Sequence, residues 1–576
     1  MTDKRSKNEF IKENSHQLRG TLAVGLEDVV TGAIAEDDSQ LLKFHGSYIQ
    51  DNRDVRGERA KKKLEKAYAF MLRLRIPGGL STPKQWIMLD NIATEYANGS
   101  LRLTTRETFQ YHGVIKSNLK RTMQAINSVA LDTIAACGDV NRNVMTASNP
   151  YLSKAHRQAY DLGKAISGHL LPKTGAYHEI WLDGDKIEDK SRKAGENEEP
   201  LYGTHYLPRK FKIVIAVPPD NDVDVYAHCL GFIAIIEKGE ITGWNITVGG
   251  GMGMTHGDTN TFPRTGDHLG FCKPEQAIDV AEKVMLLQRD WGNRENRARA
   301  RLKYTVEDRG LDNFRTELEK RLGYKLGKSK PFTFTSTGDV LGWRQSLDAK
   351  KGEEKAWHLT LFIENGRIKD EPGHTLRSAL REIAESGYCD FVCTANQNVT
   401  LANVAPKFKP KIDAILKANG VTTEVSSGLR ANSMACVALP TCGLALAESE
   451  RFLPELITAL EDSLDKAGLR SDDIVVRMTG CPNGCARPYL AEIGFVGRNP
   501  GLYNLYLGAA FDGSRMSKLY AQDVGKERIV ELLEPIFLKF SKERKPGEHF
   551  GDFVIRAGYV KATPGGNKFH ADVKLA

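Results

Sequence analysis

Leu101-Arg102-Leu103-Thr104-Thr105-Arg106-Glu107-Thr108-Phe109-Gln110 is the stretch on which the reading of the fold turns. From Ser100 to Arg106 apolar and polar residues alternate as in a strand, and the run carries a polar Thr-x-Arg segment. Far downstream, Asp390-Phe391-Val392-Cys393-Thr394-Ala395-Asn396-Gln397-Asn398-Val399-Thr400-Leu401 reads strand, polar Thr-x-Asn loop, strand. Each run follows a strand, a turn and a helix. Upstream of the first are the strand-like Tyr68-Ala69-Phe70-Met71-Leu72-Arg73-Leu74-Arg75-Ile76, the stop Pro77-Gly78-Gly79 and a helix from about Thr82 to Tyr96. Upstream of the second are a strand over 357–364, a turn at Asn365-Gly366 and a helix over 374–386. Two copies of one unit point to an internal duplication, a pseudo-twofold core with a ligand between its halves.

The totals set the frame. A chain of 576 residues makes roughly three or four domains the prior. Hydrophobic residues at 41% and charged residues at 27% are ordinary for a globular protein. No run of about 18 apolar residues predicts a membrane span, and the polar start has no apolar signal core, so a cytoplasmic protein with no membrane partner is expected. The net charge of +8 does not by itself imply nucleic acid, but it suits an anionic ligand if the basic residues converge. Nine cysteines, an odd number without an export signal, disfavour a disulfide framework and favour reduced thiols.

Residues 1–66 are highly charged and read as a solvated N-terminal arm. Period 2 puts Arg73 and Arg75 on one face of their strand. A helix is expected over 118–134, and Gly138-Asp139-Val140-Asn141-Arg142-Asn143-Val144 reads as a tight loop. Residues 183–200 look like an exposed insertion. Tyr206-Leu207-Pro208-Arg209-Lys210-Phe211-Lys212 then runs into the apolar strand Ile213-Val214-Ile215-Ala216-Val217. Cations entering a buried strand call for a partner, because lysine is rarely buried unpaired. Val248-Gly249-Gly250-Gly251-Met252-Gly253-Met254 lacks the third glycine of a dinucleotide loop, and Gly327-Lys328-Ser329 lacks the leading glycine of a phosphate loop. No site for NADPH, flavin or ATP is therefore legible. Gly249, Gly250 and Gly251 still permit close backbone approach to a large flat or anionic ligand.

The last third carries two cysteine pairs. Ser433-Met434-Ala435-Cys436-Val437-Ala438-Leu439-Pro440-Thr441-Cys442 is Cys-x5-Cys, and Thr479-Gly480-Cys481-Pro482-Asn483-Gly484-Cys485 is Cys-x3-Cys, with a helix expected over 447–467 between them. Four thiolates on two tight loops can hold zinc or an iron–sulfur cluster. Structural zinc favours closer pairs on polar knuckles. An apolar shell of Met434, Val437, Ala438, Leu439 and Leu444, with donors from Gly480, Asn483 and Gly484, suits a cluster better. A zinc-stabilised binding protein without redox chemistry stays open as the alternative of a different class.

These cysteine segments resemble the signature of the siroheme-dependent sulfite and nitrite reductases. The resemblance extends over 10–560 through Leu72-Arg73-Leu74-Arg75-Ile76-Pro77-Gly78-Gly79, Leu103-Thr104-Thr105-Arg106-Glu107-Thr108-Phe109-Gln110-Tyr111-His112-Gly113, Asn141-Arg142-Asn143-Val144, the Tyr206–212 run and Thr394-Ala395-Asn396-Gln397-Asn398. It implies a siroheme joined to a 4Fe-4S cluster through one shared thiolate. Cys485 would be the shared ligand, with Cys436, Cys442 and Cys481 completing the cluster. It implies sulfite as substrate at Arg73, Arg142, Lys210 and Lys212, and it makes Arg102, Arg106, Asn483 and the Gly249, Gly250 and Gly251 loop candidates for holding the siroheme. It implies an α+β (mixed α/β) fold of three domains around the cofactors. The first would be split over 67–135 and 348–424, the second would span 136–347 and the third 425–576. The implied reaction is the six-electron reduction of sulfite to sulfide, in sulfur assimilation and cysteine synthesis, with electrons from a separate flavoprotein subunit. A ferredoxin-linked sulfite or nitrite reductase is the alternative. Convergent Arg and Lys suit both a macrocycle rich in carboxylates and a dianionic substrate.

Overall fold

The computed structural model describes residues 4–173, 180–182, 185–187, 199–349, 354–563 and 565–576. The two copies legible in the sequence build two five-stranded sheets of one topology. The first orders its strands Ser47–Asp51, Tyr68–Arg73, Phe109–Val114, Leu101–Leu103, Arg367–Ile368. The second orders Gly342–Gln345, Trp357–Leu361, Val399–Val404, Asp390–Cys393, Leu80–Ser81. Each sheet takes its last strand from the other copy, so the copies form one body. Helices Pro83–Glu95 and Leu376–Ser386 pack on each other. The first starts in a capping box, with Thr82 and Gln85 bonded reciprocally and Pro83 in the first turn. The second stops at left-handed Gly387.

The match extends to single atoms. Thr104 N donates to Thr108 O at 3.0 Å, and Thr394 N donates to Asn398 O at 3.0 Å. Glu107 and Gln397 are both left-handed within those turns (φ +52° and +69°). Gly79 (φ +71°) and Gly366 (φ +73°) are equivalent too: a Cβ on Gly79 would lie 2.4 Å from Cys393 O, and one on Gly366 2.6 Å from Leu103 O. These glycines let the exchanged strands cross the partner copy. Gly366→Ala is expected to lower stability by about 2–4 kcal/mol, from left-handed strain plus overpacking against a backbone that cannot yield. Gly387→Ala, at φ +66° with nothing within 4 Å, should cost only about 1 kcal/mol from the strain alone. Urea midpoints measure both, and equal losses would show that the crossing is not tight.

The other two five-stranded sheets are also a pair. One orders Met145–Thr146, Ile213–Ala216, Leu230–Glu237, Glu240–Val248, Asp267–Cys272; the other orders Ser433–Ala435, Val476–Thr479, Ile493–Asn499, Leu502–Leu507, Lys518–Val524. In both, the first three strands are parallel and the last two return antiparallel. A helix follows the first strand (Lys154–His169, Leu453–Ala467) and another follows the last (Ala277–Trp291, Lys526–Glu543). The duplication therefore runs through the whole chain, further than the sequence indicated, because this second pair shares topology without a shared motif.

Several expectations are corrected. The segment 1–66 is no solvated arm. Its strand Ser47–Asp51 pairs with Tyr68–Arg73, and Leu18, Leu41, Leu42 and Phe44 enter the core. Its apolar residues are too sparse among charges to show a period, and they are buried only by docking. The equivalent strand Gly342–Gln345 likewise precedes the expected boundary at 348. The helix expected over 118–134 ends at Asn127, and the strand expected over 100–106 ends at Leu103, where the Thr104–Thr108 turn begins. The strand expected over 68–76 is shorter than it reads. The strand ends at Arg73, and Arg75 turns to pair with Asp132. The insertion expected over 183–200 lies largely outside the described residues.

Candidate active site

Cys436 follows the strand Ser433–Ala435, and Cys481 and Cys485 follow Val476–Thr479. The two strands are parallel neighbours, so both cysteine loops leave the same sheet end side by side. Gly480 N donates to Cys436 Sγ at 3.4 Å, and Asn483 Nδ2 donates to Cys481 Sγ at 3.4 Å. A Cβ on Gly480 would lie 2.5 Å from Ala447 O, which explains a glycine there. Burial pushes the Cys436 and Cys481 thiols up to about 12 and Cys442 up to about 11, and the next largest cause for each is the charge of another cysteine of the four. The four sulfurs therefore face one another. All nine cysteines are free thiols. Among the described residues, no three His, Cys, Asp or Glu side chains stand close enough to hold a single metal ion.

The loops are held from every side. The backbone N of Arg53 donates to Pro440 O at 3.1 Å, and its guanidinium reaches Ala445 O at 2.7 Å and Cys442 O at 3.3 Å. The N-terminal segment thus clasps the first cysteine loop. Arg102 Nη2 and Gln397 Nε2 both donate to Ala435 O, at 2.8 and 2.9 Å. Thr105 Oγ1 donates to Cys485 O at 3.0 Å. The glycine-rich loop lies on the second cysteine loop: Met254 N donates to Pro482 O at 3.0 Å, and a Cβ on Gly253 would lie 2.8 Å from Asn483 O.

Beside Cys485 lies a pocket of cations. The side chains of Arg209, Lys210, Lys212 and Arg301 make no hydrogen bond and no ion pair among the described residues, and Arg301 Nε is buried without a partner. Burial, then the charges of Arg301, Arg142 and Arg209, pushes Lys210 well below the ordinary lysine value. Burial, then Arg106, Arg301 and Arg142, does the same to Lys212, which also senses Cys485. Arg106 falls to about 9 and Arg209 to about 10, burial leading in both. The nearby carboxylates are already engaged: Asp139 pairs with Arg297 at 2.8 Å and lies 3.7 Å from Lys12. Uncompensated buried cations are costly, so this pocket is built for an anion.

The residues expected from sequence separate into two groups. Arg73, Arg142, Arg106, Lys210 and Lys212 converge on the pocket. Arg73 Nη1 donates to Cys137 Sγ at 3.1 Å, and its Nε lies 2.9 Å from Gln110 with that amide's oxygen turned toward it. Arg142 Nη2 donates to Gly138 O at 3.0 Å. Arg106 reaches Asn143 O and His228 Nδ1 through its Nη atoms and keeps a buried, unpartnered Nε. Arg102, by contrast, is committed: its Nε lies 3.1 Å from Glu450 Oε2, and it anchors the strand that leads to Cys436. Gly250 is explained by packing, since a Cβ there would lie 2.2 Å from Tyr226 O; Gly249 faces Arg264, which is already paired with Glu307 and Asp267, and Gly251 faces Arg301 and Lys303. Sequence reasoning missed Arg53, Arg301 and Lys303. The basic alternation Arg297-Ala298-Arg299-Ala300-Arg301-Leu302-Lys303 was the available signal for the last two.

Asp224 anchors the region, between Arg477 at 2.6 Å and Arg487. Burial raises its pKa, but Arg477 and Arg487 outweigh burial and hold it below the ordinary carboxylate value. A depressed carboxylate contributes stability above its unfolded value near about 3.9 and loses it as pH falls through the folded value. Asp224→Asn, which strands two buried guanidiniums, is expected to cost about 3–5 kcal/mol at neutral pH, with the gap to the parent closing in acid. Urea titrations at several pH values read this directly; a gap constant with pH would refute it.

The chain is similar to known proteins along nearly its whole length. Residues 163–326 match the family described as the nitrite and sulphite reductase 4Fe-4S domain. Residues 62–129 and 349–419 match the nitrite/sulfite reductase ferredoxin-like half domain, one copy in each repeat. The four cysteines at 436–485 lie beyond the first match. A sulfite reductase (NADPH) hemoprotein beta-component of Methylobacterium nodulans is 62% identical over 569 residues, covering 98% of this chain and 92% of that protein. The protein of the same name from Oceanobacillus iheyensis is 56% identical over 564 residues, covering 98% and 96%. The solved structure of the Mycobacterium tuberculosis NirA protein superposes with a TM-score of 0.76 at 24% identity, covering 96% of this chain and 97% of that one, and so shares the fold.

Proposed function

The chain belongs to the nitrite and sulfite reductase family, and from that premise we propose that it is the haemoprotein component of an NADPH-dependent sulfite reductase, reducing sulfite to sulfide in sulfur assimilation. The observation that carries this reading is the cation pocket without counter-carboxylates, set directly against four converging thiols. The donor set fits the cofactors of the family. Cys436, Cys442, Cys481 and Cys485 are soft ligands in a half-buried shell with N–H donors, as a 4Fe-4S cluster requires. Arg106, Arg209 and Arg301 supply the unused donors that the carboxylates of a siroheme need. When bound, the coupled pair supplies the electrons.

The chain's own residues supply charge and protons. Arg73, Arg142, Lys210 and Lys212 would hold the sulfite dianion. Binding an anion favours the charged form of each lysine, reversing the depression caused by burial and by neighbouring cations. Lys210 and Lys212 then arrive protonated beside the oxygens that must leave as water, and their Nζ protons can be given up as the S–O bonds break. Positive charge stabilises each departing oxygen.

A separate flavoprotein subunit as donor is supported by the relatives' names, which specify NADPH and a beta-component. Nine free thiols support a reducing, cytoplasmic setting. Among the described residues no helix is long and apolar enough to cross a membrane. The test is turnover of sulfite and nitrite by purified holoprotein, with NADPH and a reconstituted flavoprotein against reduced ferredoxin. Preferred turnover of sulfite with the flavoprotein is expected. Nitrite preference with ferredoxin would sink this reading, and a colourless protein containing zinc and no iron would sink the enzyme altogether.

A further inference from the structure

Asp224 and Arg487 occupy equivalent places in the second pair of repeats. Each precedes a short 3-10 turn, Val225–Ala227 or Pro488–Leu490, that leads into the third strand of its sheet. Each has a left-handed backbone, φ +49° and +56°, a conformation uncommon for residues other than glycine. Their side chains meet across the pseudo-twofold axis as an ion pair from Arg487 Nε to Asp224, 5% and 2% exposed. Arg487 then reaches the first pair of repeats. Its Nη1 donates to Thr105 O at 3.1 Å and its Nη2 to Ala395 O at 2.9 Å. Thr105 and Ala395 are the equivalent residues of the two matched turns. One guanidinium therefore joins the loops of all four sheets at the axis that relates them.

The same residue belongs to the second cysteine loop. Arg487 N donates to Gly484 O at 3.0 Å, and Thr105 Oγ1 returns a bond to Cys485 O at 3.0 Å. Thr105 adjoins Arg106, which senses the charge of Arg487, so the cation pocket and the cysteine loop share one anchor. We propose that Arg487 is a positioning residue that fixes Cys485 on the pseudo-twofold axis and so sets the thiolate's place relative to Arg106 and Lys212. It touches neither substrate nor reacting atoms. Its planar fork meets three acceptors in fixed directions, so a rotation of either repeat about the axis lengthens one bond as it shortens another. A lysine, with one compact ammonium, cannot span all three.

This inference rests on Cys485 as the ligand shared by the cluster and the siroheme. The test uses purified holoenzyme carrying Arg487→Lys, Arg487→Met, Thr105→Val or Thr105→Ser. Iron and siroheme per chain are expected to match the parent in every variant that accumulates. The spin-resonance signature of cluster–siroheme coupling should change in both Arg487 variants, with kcat falling by about tenfold to a hundredfold, the scale of a small misplacement, and KM for sulfite within about twofold. Thr105→Val should move both readouts in the same direction by less, and Thr105→Ser should restore them. If the Arg487 variants do not accumulate, the Thr105 pair decides. Parental coupling and kcat in Arg487→Lys, or a Thr105→Val indistinguishable from Thr105→Ser, would overturn the role of Arg487 while leaving the proposed function standing. A parent enzyme with no coupled signature would overturn both.

Discussion

Cys485→Ser is expected to abolish sulfite turnover, lowering it by about a thousandfold or more, because a serine hydroxyl is a hard, weakly acidic ligand where a soft thiolate is needed. The position leaves little room for compensation. Thr105 fixes the Cys485 carbonyl, the glycine-rich loop covers Pro482 and Asn483, and Arg53 and Arg102 hold the facing loop. With Cys436, Cys442 and Cys481 in place, the variant has no substitute in Cys389 or Cys393, which are buried in the exchanged-strand core, where burial raises both thiols. Iron and sulfide analysis with a spin-resonance spectrum separates loss of the cluster from loss of coupling, and either outcome agrees with the shared-ligand role. A variant with parental coupling and activity would remove Cys485 from the site.

The second large effect is a pair of opposite signs. Lys210→Met and Lys212→Met are each expected to keep the cofactor colour and lose about a hundredfold to a thousandfold in turnover, the range for deleting one charged donor at a reacting group. The same substitutions should make the cofactor-free protein more stable by about 1–3 kcal/mol, because each removes a cation that has no counter-carboxylate. The pH dependence follows from the direction of the shifts. A lysine whose folded value lies below its unfolded value binds fewer protons when folded, so parent stability rises with pH through that interval. The advantage of the methionine variants should therefore be largest below the lysine's folded value, shrink as pH rises, and vanish near about pH 10, where the unfolded lysine also loses its charge. Melting curves of the cofactor-free proteins, read beside kcat of the loaded ones, test both halves. A destabilising Lys210→Met with normal kinetics would make Lys210 an ordinary structural residue.

Apart from Arg73, Arg106 and Arg142, which the family resemblance named, the sequence by itself determined the first duplication, the two cysteine pairs, and Lys210 and Lys212 ahead of a buried strand. These are legible because each rests on local chemistry: a period of two, a turn with a fixed hydrogen-bond pattern, a thiol pair at close spacing, a cation placed before a buried strand. Tertiary structure alone decided the rest. It showed that residues 1–66 are part of the fold, since Leu18, Leu42 and Phe44 are buried only by contact with distant strands. It divided the arginines, giving Arg102 to Glu450 and Ala435 while leaving Arg209 and Arg301 uncompensated. It also revealed the second duplication, and with it Arg487 on the axis, because Asp224 and Arg487 share a place in the fold but no sequence signal. A salt bridge or an uncompensated cation pocket is a statement about which charges lack partners, and partners more than a hundred residues apart are chosen by packing, not by spacing along the chain.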